Sequence, residues 1–272
     1  MGATHQALLM YGGAGGGGGG WTPADIFTGA VRGAWWDPSD LSTLWQDISR
    51  TVPVTTTGQS VAMMDDKSGN GMGLVQGVSG ARPILQNDGT NYYLDFDGTD
   101  DFLSYSVGAN LRIEDDDINV VFGMKTDTTA GDTSPFARSL QNSEAGRYWM
   151  SINSGTISSA YQYNGSTVAL ATKSFTSTSN HVMTMTVDRS VNNSITLRED
   201  AAATTGTYAA ETTNHTPNRR FLLGAFNDPT DAGQVGYFNG RIYGMILWFA
   251  PVDTGDIDDA EEWMADKTGV TL

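Results

Sequence analysis

The chain has 272 residues, 39% hydrophobic and 17% charged, with 10 Phe, 10 Tyr and 7 Trp, which is enough apolar material to fill a sizeable core and excludes disorder throughout. Lys and Arg number 15 against 31 Asp and Glu, a formal net charge of −16, and that balance argues against a sequence-general grip on nucleic acid, which needs clustered cations. The absence of cysteine removes disulfides, thiolate catalysis and cysteine zinc sites together.

Residues 1–20 form a Gly-rich tail. Gly12, Gly13 and Gly15 to Gly20, interrupted only by Ala14, lose too much backbone entropy to order alone and offer no side chain to pack. Two readings follow: a disordered tail, or a leash that docks among neighbouring subunits with Leu8, Leu9, Met10 and Tyr11 as its anchor. The apolar patch ahead of the glycines favours docking. The first residues lack a basic region and carry too short an apolar stretch for a secretory leader. No run reaches the ~20 apolar residues of a membrane helix, so membrane insertion is not expected.

Residues 21–50 are a Trp-rich lead-in. Thr22-Pro23-Ala24-Asp25 and Asp37-Pro38-Ser39-Asp40 are helix-start signals, yet the pieces between them are too short for stable lone helices. They are predicted as turns pinned to the main domain by Trp21, Phe27, Trp35, Trp36, Leu41, Leu44 and Trp45.

Residues 51–272 are predicted as one β domain. Runs rich in Val, Ile, Thr, Tyr and Phe recur at 92–96, 102–107, 118–125, 148–152, 157–163, 167–173, 181–188, 194–199, 220–225 and 241–249, punctuated by Gly, Asn and Asp. Asn164-Gly165 between two such runs is a hairpin signal. Val182, Thr184 and Thr186 alternate with Met183, Met185 and Val187, which predicts one polar and one core face. The fold class is therefore all-β, a two-sheet antiparallel jelly-roll sandwich. One helix at 254–267 closes it, with Ile257, Ala260 and Met264 on one face, acids in its first turn and Gly269 just past its end.

Among polar residues, Asp95, Asp97, Asp100 and Asp101 offer hard oxygens within one turn, a set suited to calcium. The same aspartates also read as turn residues capping local backbone N–H groups. Tyr161 and Tyr163 share one face of a hairpin arm, with Tyr148 and Trp149 on the preceding arm. An aromatic platform there would suit a sugar, although at least one of these faces must fill the core. His5, His181 and His215 share no metal-ligand spacing, and His181 reads as a satisfied structural residue.

Asp66-Lys67-Ser68-Gly69-Asn70-Gly71, Leu94 through Leu103, His181 through Asp188 and Phe238-Asn239-Gly240-Arg241-Ile242-Tyr243-Gly244 resemble, in order, segments of laminin-G-like domains. These belong to the concanavalin A-like lectin/glucanase superfamily. The resemblance implies a jelly roll, a sugar-binding or calcium-holding rim and, in one branch, glycoside hydrolysis. That branch uses a Glu-x-Asp-x-x-Glu strand. The nearest segment here, Glu114-Asp115-Asp116-Asp117-Ile118-Asn119, ends in Asn119 and argues against an enzyme. A second block, Gly33-Ala34-Trp35-Trp36-Asp37-Pro38 through Asp47, continuing to Gly58-Gln59, is similar to the opening of structural proteins of tailed bacteriophages.

Together these readings lead to a non-enzymatic virion structural protein, a tail, fibre or capsid-surface component. It is expected to be anchored to other virion proteins through its N-terminal segment and to form a homo-oligomer, a trimer by analogy with phage appendages. The alternatives are a module that recognises host surface glycan, and a polysaccharide depolymerase. No cofactor is expected beyond calcium.

Overall fold

The computed structural model describes residues 20–105, 116–138, 146–164, 167–209, 220–227 and 233–272. Its strands are β1 (Arg32–Trp36), β2 (Leu44–Trp45), β3 (Met63–Met64), β4 (Leu74–Val75), β5 (Ile84–Asn87), β6 (Tyr92–Asp97), β7 (Leu103–Tyr105), β8 (Ile118–Thr126) and β9 (Asp132–Arg138). They continue with β10 (Arg147–Asn153), β11 (Thr156–Asn164), β12 (Thr167–Ser174), β13 (Asn180–Asp188), β14 (Ser194–Glu199) and β15 (Ala202–Thr207). The last are β16 (Phe221–Leu223), β17 (Phe226–Asn227), β18 (Gln234–Val235) and β19 (Asn239–Phe249), before helix α1 (Thr254–Thr268).

Two antiparallel sheets face each other in a jelly-roll sandwich, as the strand periodicity predicts. The first runs β15-β14-β13-β8-β19-β6-β5, and the second β12-β11-β10-β9-β16-β7-β4-β3-β2. Strand β19 is long enough to serve two partners on one side: its first residues pair with β6 and its last with β1. The lead-in differs from the turns predicted for it. Arg32–Trp36 is a strand because it pairs with Phe249–Met245, a partner no local pattern reveals. Gly33 allows that pairing: its φ is 143°, and a Cβ there would collide with the Leu247 carbonyl.

Period-two geometry then splits the two tryptophans of β1. Trp36 points between the sheets, stacks on Phe221 at 5.2 Å and donates its indole N–H to the Met72 carbonyl at 2.9 Å. Phe122, Phe136 and Phe221 continue that core. Trp35 points the other way, into a second apolar cluster with Val121, Val182, Ile246, Trp248 and the helix residues Ile257, Ala260 and Met264.

Helix α1 begins where its sequence signals place it. Asp253 accepts from the Gly255 and Asp256 N–H groups as N-cap, and Gly269 at φ 70° ends the helix. It lies on the outer face of the first sheet, against β8, β13 and β19. Gly123 gives it room, since a Cβ there would strike Thr268 and Met264. This contact corrects the alternation reading of β13. Thr184 and Thr186 do not face water: both are buried, Thr184 beneath the helix. Thr184 instead donates its hydroxyl to Glu261, whose other carboxylate oxygen lies 2.8 Å from the Arg198 guanidinium. Burial raises the Glu261 pKa, against the opposing pull of Thr184 and Arg198.

Candidate functional site

The outer face of the second sheet carries no helix among the described residues. Along β10 the side chains alternate: Tyr148, Met150 and Ile152 are fully buried in the core, while Trp149, Ser151 and Asn153 look outward. This corrects the aromatic platform predicted from sequence. Tyr148 cannot share a face with Trp149, and burial raises the pKa of its hydroxyl. Tyr161 is equally buried and packs edge-on against Tyr208, so both tyrosines belong to the core. The side chain of Tyr163 lies outside the described residues. Trp149 is the one member of the predicted set that the described residues place on an outward face.

A small hairpin makes the second wall beside Trp149. Strands β17 and β18 pair Phe226 with Val235, and the segment is strapped to β9 by Ser134 N–H to the Gly236 carbonyl at 2.9 Å and Thr133 hydroxyl to the Tyr237 carbonyl at 2.9 Å. Phe226 meets Trp149 edge-on with ring centroids 5.6 Å apart. The Arg147 guanidinium lies 5.2 Å from the Trp149 ring centre and 5.3 Å from that of Phe226, fixing both aromatic planes.

The result is a cleft of about 190 Å³ lined by Asp132, Ser151, Asn153, Trp149, Phe226 and Val235. Asp132 faces Asn153 across the β9–β10 ladder. A register shift between Met150 and Ile152 bends this strand beside the cleft. Although Asp132 is an exposed residue, partial enclosure raises the pKa of its carboxyl. Among the described residues, the side chains of Asp132, Ser151 and Asn153 make no hydrogen bond, so a carboxylate, a hydroxyl and an amide converge beside an apolar ring. Sequence reasoning missed Phe226 and Asp132, which reach Trp149 only through pairing across the sheet.

The predicted acidic set is partly assembled. Asp97, Asp100 and Asp101 bring carboxylate oxygens within 4.8 Å of one another, while Asp95 stands outside that group. Asp97 accepts the Thr99 N–H at 2.7 Å, and Asp101 accepts the Asp97 N–H at 3.1 Å. Two of the three carboxylates therefore cap the turn that holds them. Burial, with Asp97, Asp100 and Asp95 nearby, raises the Asp101 pKa to about 6 despite the Asp97 N–H bond.

His181 has both ring nitrogens occupied, Nδ1 at 2.7 Å from Asp200 and Nε2 at 2.7 Å from Ser177 Oγ. The order Asp-His-Ser is that of a hydrolase relay, but Ser177 Oγ also accepts the Ser179 N–H and Asp200 accepts the Val182 N–H. The cluster ties β13 to the β14–β15 turn. Of the docking residues, Leu8, Leu9, Met10, Tyr11, Gly12, Gly13 and Gly15 lie outside the described residues. Gly20 is described and exposed. No described helix is long and apolar enough to cross a membrane.

No protein-family model and no curated protein sequence matches the chain. Solved structures do match in fold. Botulinum neurotoxin type C, which interacts with two ganglioside molecules, aligns with TM-score 0.60 at 10% identity over 89% of this chain and 53% of its own. The binding domain of botulinum neurotoxin DC in complex with rat synaptotagmin II aligns with TM-score 0.56 at 11% identity, covering 83% and 52%. The botulinum neurotoxin D ligand-binding domain in complex with N-acetylneuraminic acid gives 0.55 at 13%, covering 74% and 48%. The chain thus spans about half the length of these neighbours, and the likeness establishes a shared β-sandwich.

Proposed function

We propose that this chain is a non-enzymatic glycan-binding module whose ligand lies in the Trp149–Phe226 cleft. The observation that carries the proposal is the meeting of a partly exposed indole with three polar side chains, Asp132, Ser151 and Asn153, that make no hydrogen bond among the described residues. A sugar ring presents an apolar C–H face to stack on an indole and hydroxyls at its edge to satisfy such groups. The ganglioside and N-acetylneuraminic acid named with the fold neighbours support this ligand class. Binding without cleavage fits a cleft in which Asp132 is the one carboxylate among the described lining residues, since two-carboxylate hydrolysis needs a pair.

The test is a glycan array probed with the full chain in multivalent display, beside Trp149→Ala. Selective binding that the substitution abolishes is the expected result; no binding, or binding indifferent to Trp149, overturns the assignment. Display on a phage particle is supported by the block at 33–59, and many copies there would turn weak single contacts into avidity. Immunogold labelling of intact particles checks that placement, and a particle without label excludes it.

A further inference from the structure

The opposite side of the sandwich carries a larger cavity. Between the start of the described chain and the outer side of α1 lies a groove of about 470 Å³, lined by Trp21, Trp263, Asp259, Glu262, Asp266 and Leu272. Its volume is in the range of small-molecule sites, about 300–1,000 Å³. Asp259, Glu262 and Asp266 follow one another at i, i+3 and i+7, so a single helix face presents all three carboxylates. None of them forms an ion pair among the described residues, whereas other acids of the helix do: Glu261 and Asp258 share Arg198. The two tryptophans are partly exposed. Trp263 is held edge-on by Trp35 at 5.7 Å, and the Lys267 ammonium lies 4.8 Å from its ring centre, so the indole already works as a cation acceptor.

We infer that this groove binds a small organic cation, an alkylammonium or quaternary ammonium head, seated against the indoles of Trp21 and Trp263 and neutralised by Asp259, Glu262 and Asp266. Each part of the lining selects for that chemistry. Indole faces attract cations through the ring quadrupole, most strongly where water is displaced. Carboxylates beside two indole rings favour a diffuse charge carried on carbon over a hydrated metal ion. An anionic sugar would be repelled by the three carboxylates, which sets this groove apart from a site for acidic glycan.

The experiment follows the tryptophan indole N–H signals of the full chain by two-dimensional NMR. Choline chloride is titrated against 3,3-dimethylbutan-1-ol, its uncharged isostere, at matched ionic strength. The Trp21 and Trp263 signals are assigned from Trp21→Phe and Trp263→Phe. Saturable shifts at both indoles with choline, absent with the alcohol, are expected. The double variant Asp259→Asn/Glu262→Gln should weaken choline by about tenfold. Both residues are exposed, so an unchanged melting temperature verifies that the variant folds. Equal shifts with the alcohol, choline affinity indifferent to the double variant, or no saturable shift would each overturn the inference. None of these outcomes depends on whether the Trp149 cleft binds glycan.

Discussion

The two outer faces of the sandwich treat polar side chains in opposite ways. Under α1, Thr184 gives its hydroxyl to Glu261, and Glu261 meets Arg198. On the second sheet, Asp132, Ser151 and Asn153 stand beside Trp149 with no such bonds among the described residues. The difference follows from water. A buried carboxylate or hydroxyl must find its partners inside the protein, because leaving it unpaired costs the desolvation of the group. An exposed one can stay solvated and exchange water for a ligand at little cost. Covered polar groups therefore report on stability, and open ones on binding.

The largest expected effect breaks the covered face. Glu261→Ala leaves the Thr184 hydroxyl buried without its acceptor and removes one partner of Arg198, at a cost of about 3–5 kcal/mol, read from urea midpoints. Glu261→Gln keeps an acceptor for Thr184, and because the Glu261 pKa is already raised, it should cost clearly less. Equal losses for the two variants would mean that helix packing alone holds this face. Trp149→Ala makes the reverse prediction. Glycan affinity should fall about thirtyfold or more, as for a central aromatic anchor, with a stability loss of only about 1–2 kcal/mol from the Arg147 and Phe226 contacts.

The same contrast explains how much could be read from sequence. Sandwich strands announce themselves through alternation and turn residues, and α1 through Asp253, its acidic first turn and Gly269, because all these signals act within a few residues. Strand β1 did not, since its partner is β19, more than two hundred residues away along the chain. The polar face of β13 looked solvent-facing because nothing local says that a helix returns to cover Thr184. Trp149 could be picked as an aromatic on a hairpin arm. Its separation from Tyr148 follows from period two once the strand is fixed, whereas Phe226 and Asp132 come from distant segments.

A smaller effect concerns the acidic turn between β6 and β7. Asp101 holds its proton more tightly in the folded chain, with a pKa of about 6 against an ordinary 3.8. Between those values the native state binds more protons than the unfolded one, so this group's contribution to stability is present at low pH and is lost as pH rises through about 6. Asp101→Asn keeps an oxygen for the Asp97 N–H without the charge. It should stabilise the chain by about 1–2 kcal/mol above that window and by nothing below it. Urea midpoints across the window check this; a constant offset between variant and parent would refute it.

The finest test lies at the open face, in Asp132, the one carboxylate among the described lining residues of its cleft. Asp132→Asn retains a side-chain acceptor beside Asn153 and Trp149 while removing the charge. A neutral glycan should therefore lose only about 0.5–1 kcal/mol, the difference between a charged and a neutral acceptor. A sugar acid should behave differently, since its carboxylate is repelled by ionised Asp132, and the same substitution should tighten it. Partial enclosure raises the Asp132 pKa, so mild acidification of the parent protein should imitate the variant, weakening neutral ligands slightly and admitting acidic ones. Isothermal titration with a matched neutral and acidic glycan pair distinguishes this from a cleft that ignores charge, in which both ligands would respond to Asp132→Asn in the same direction.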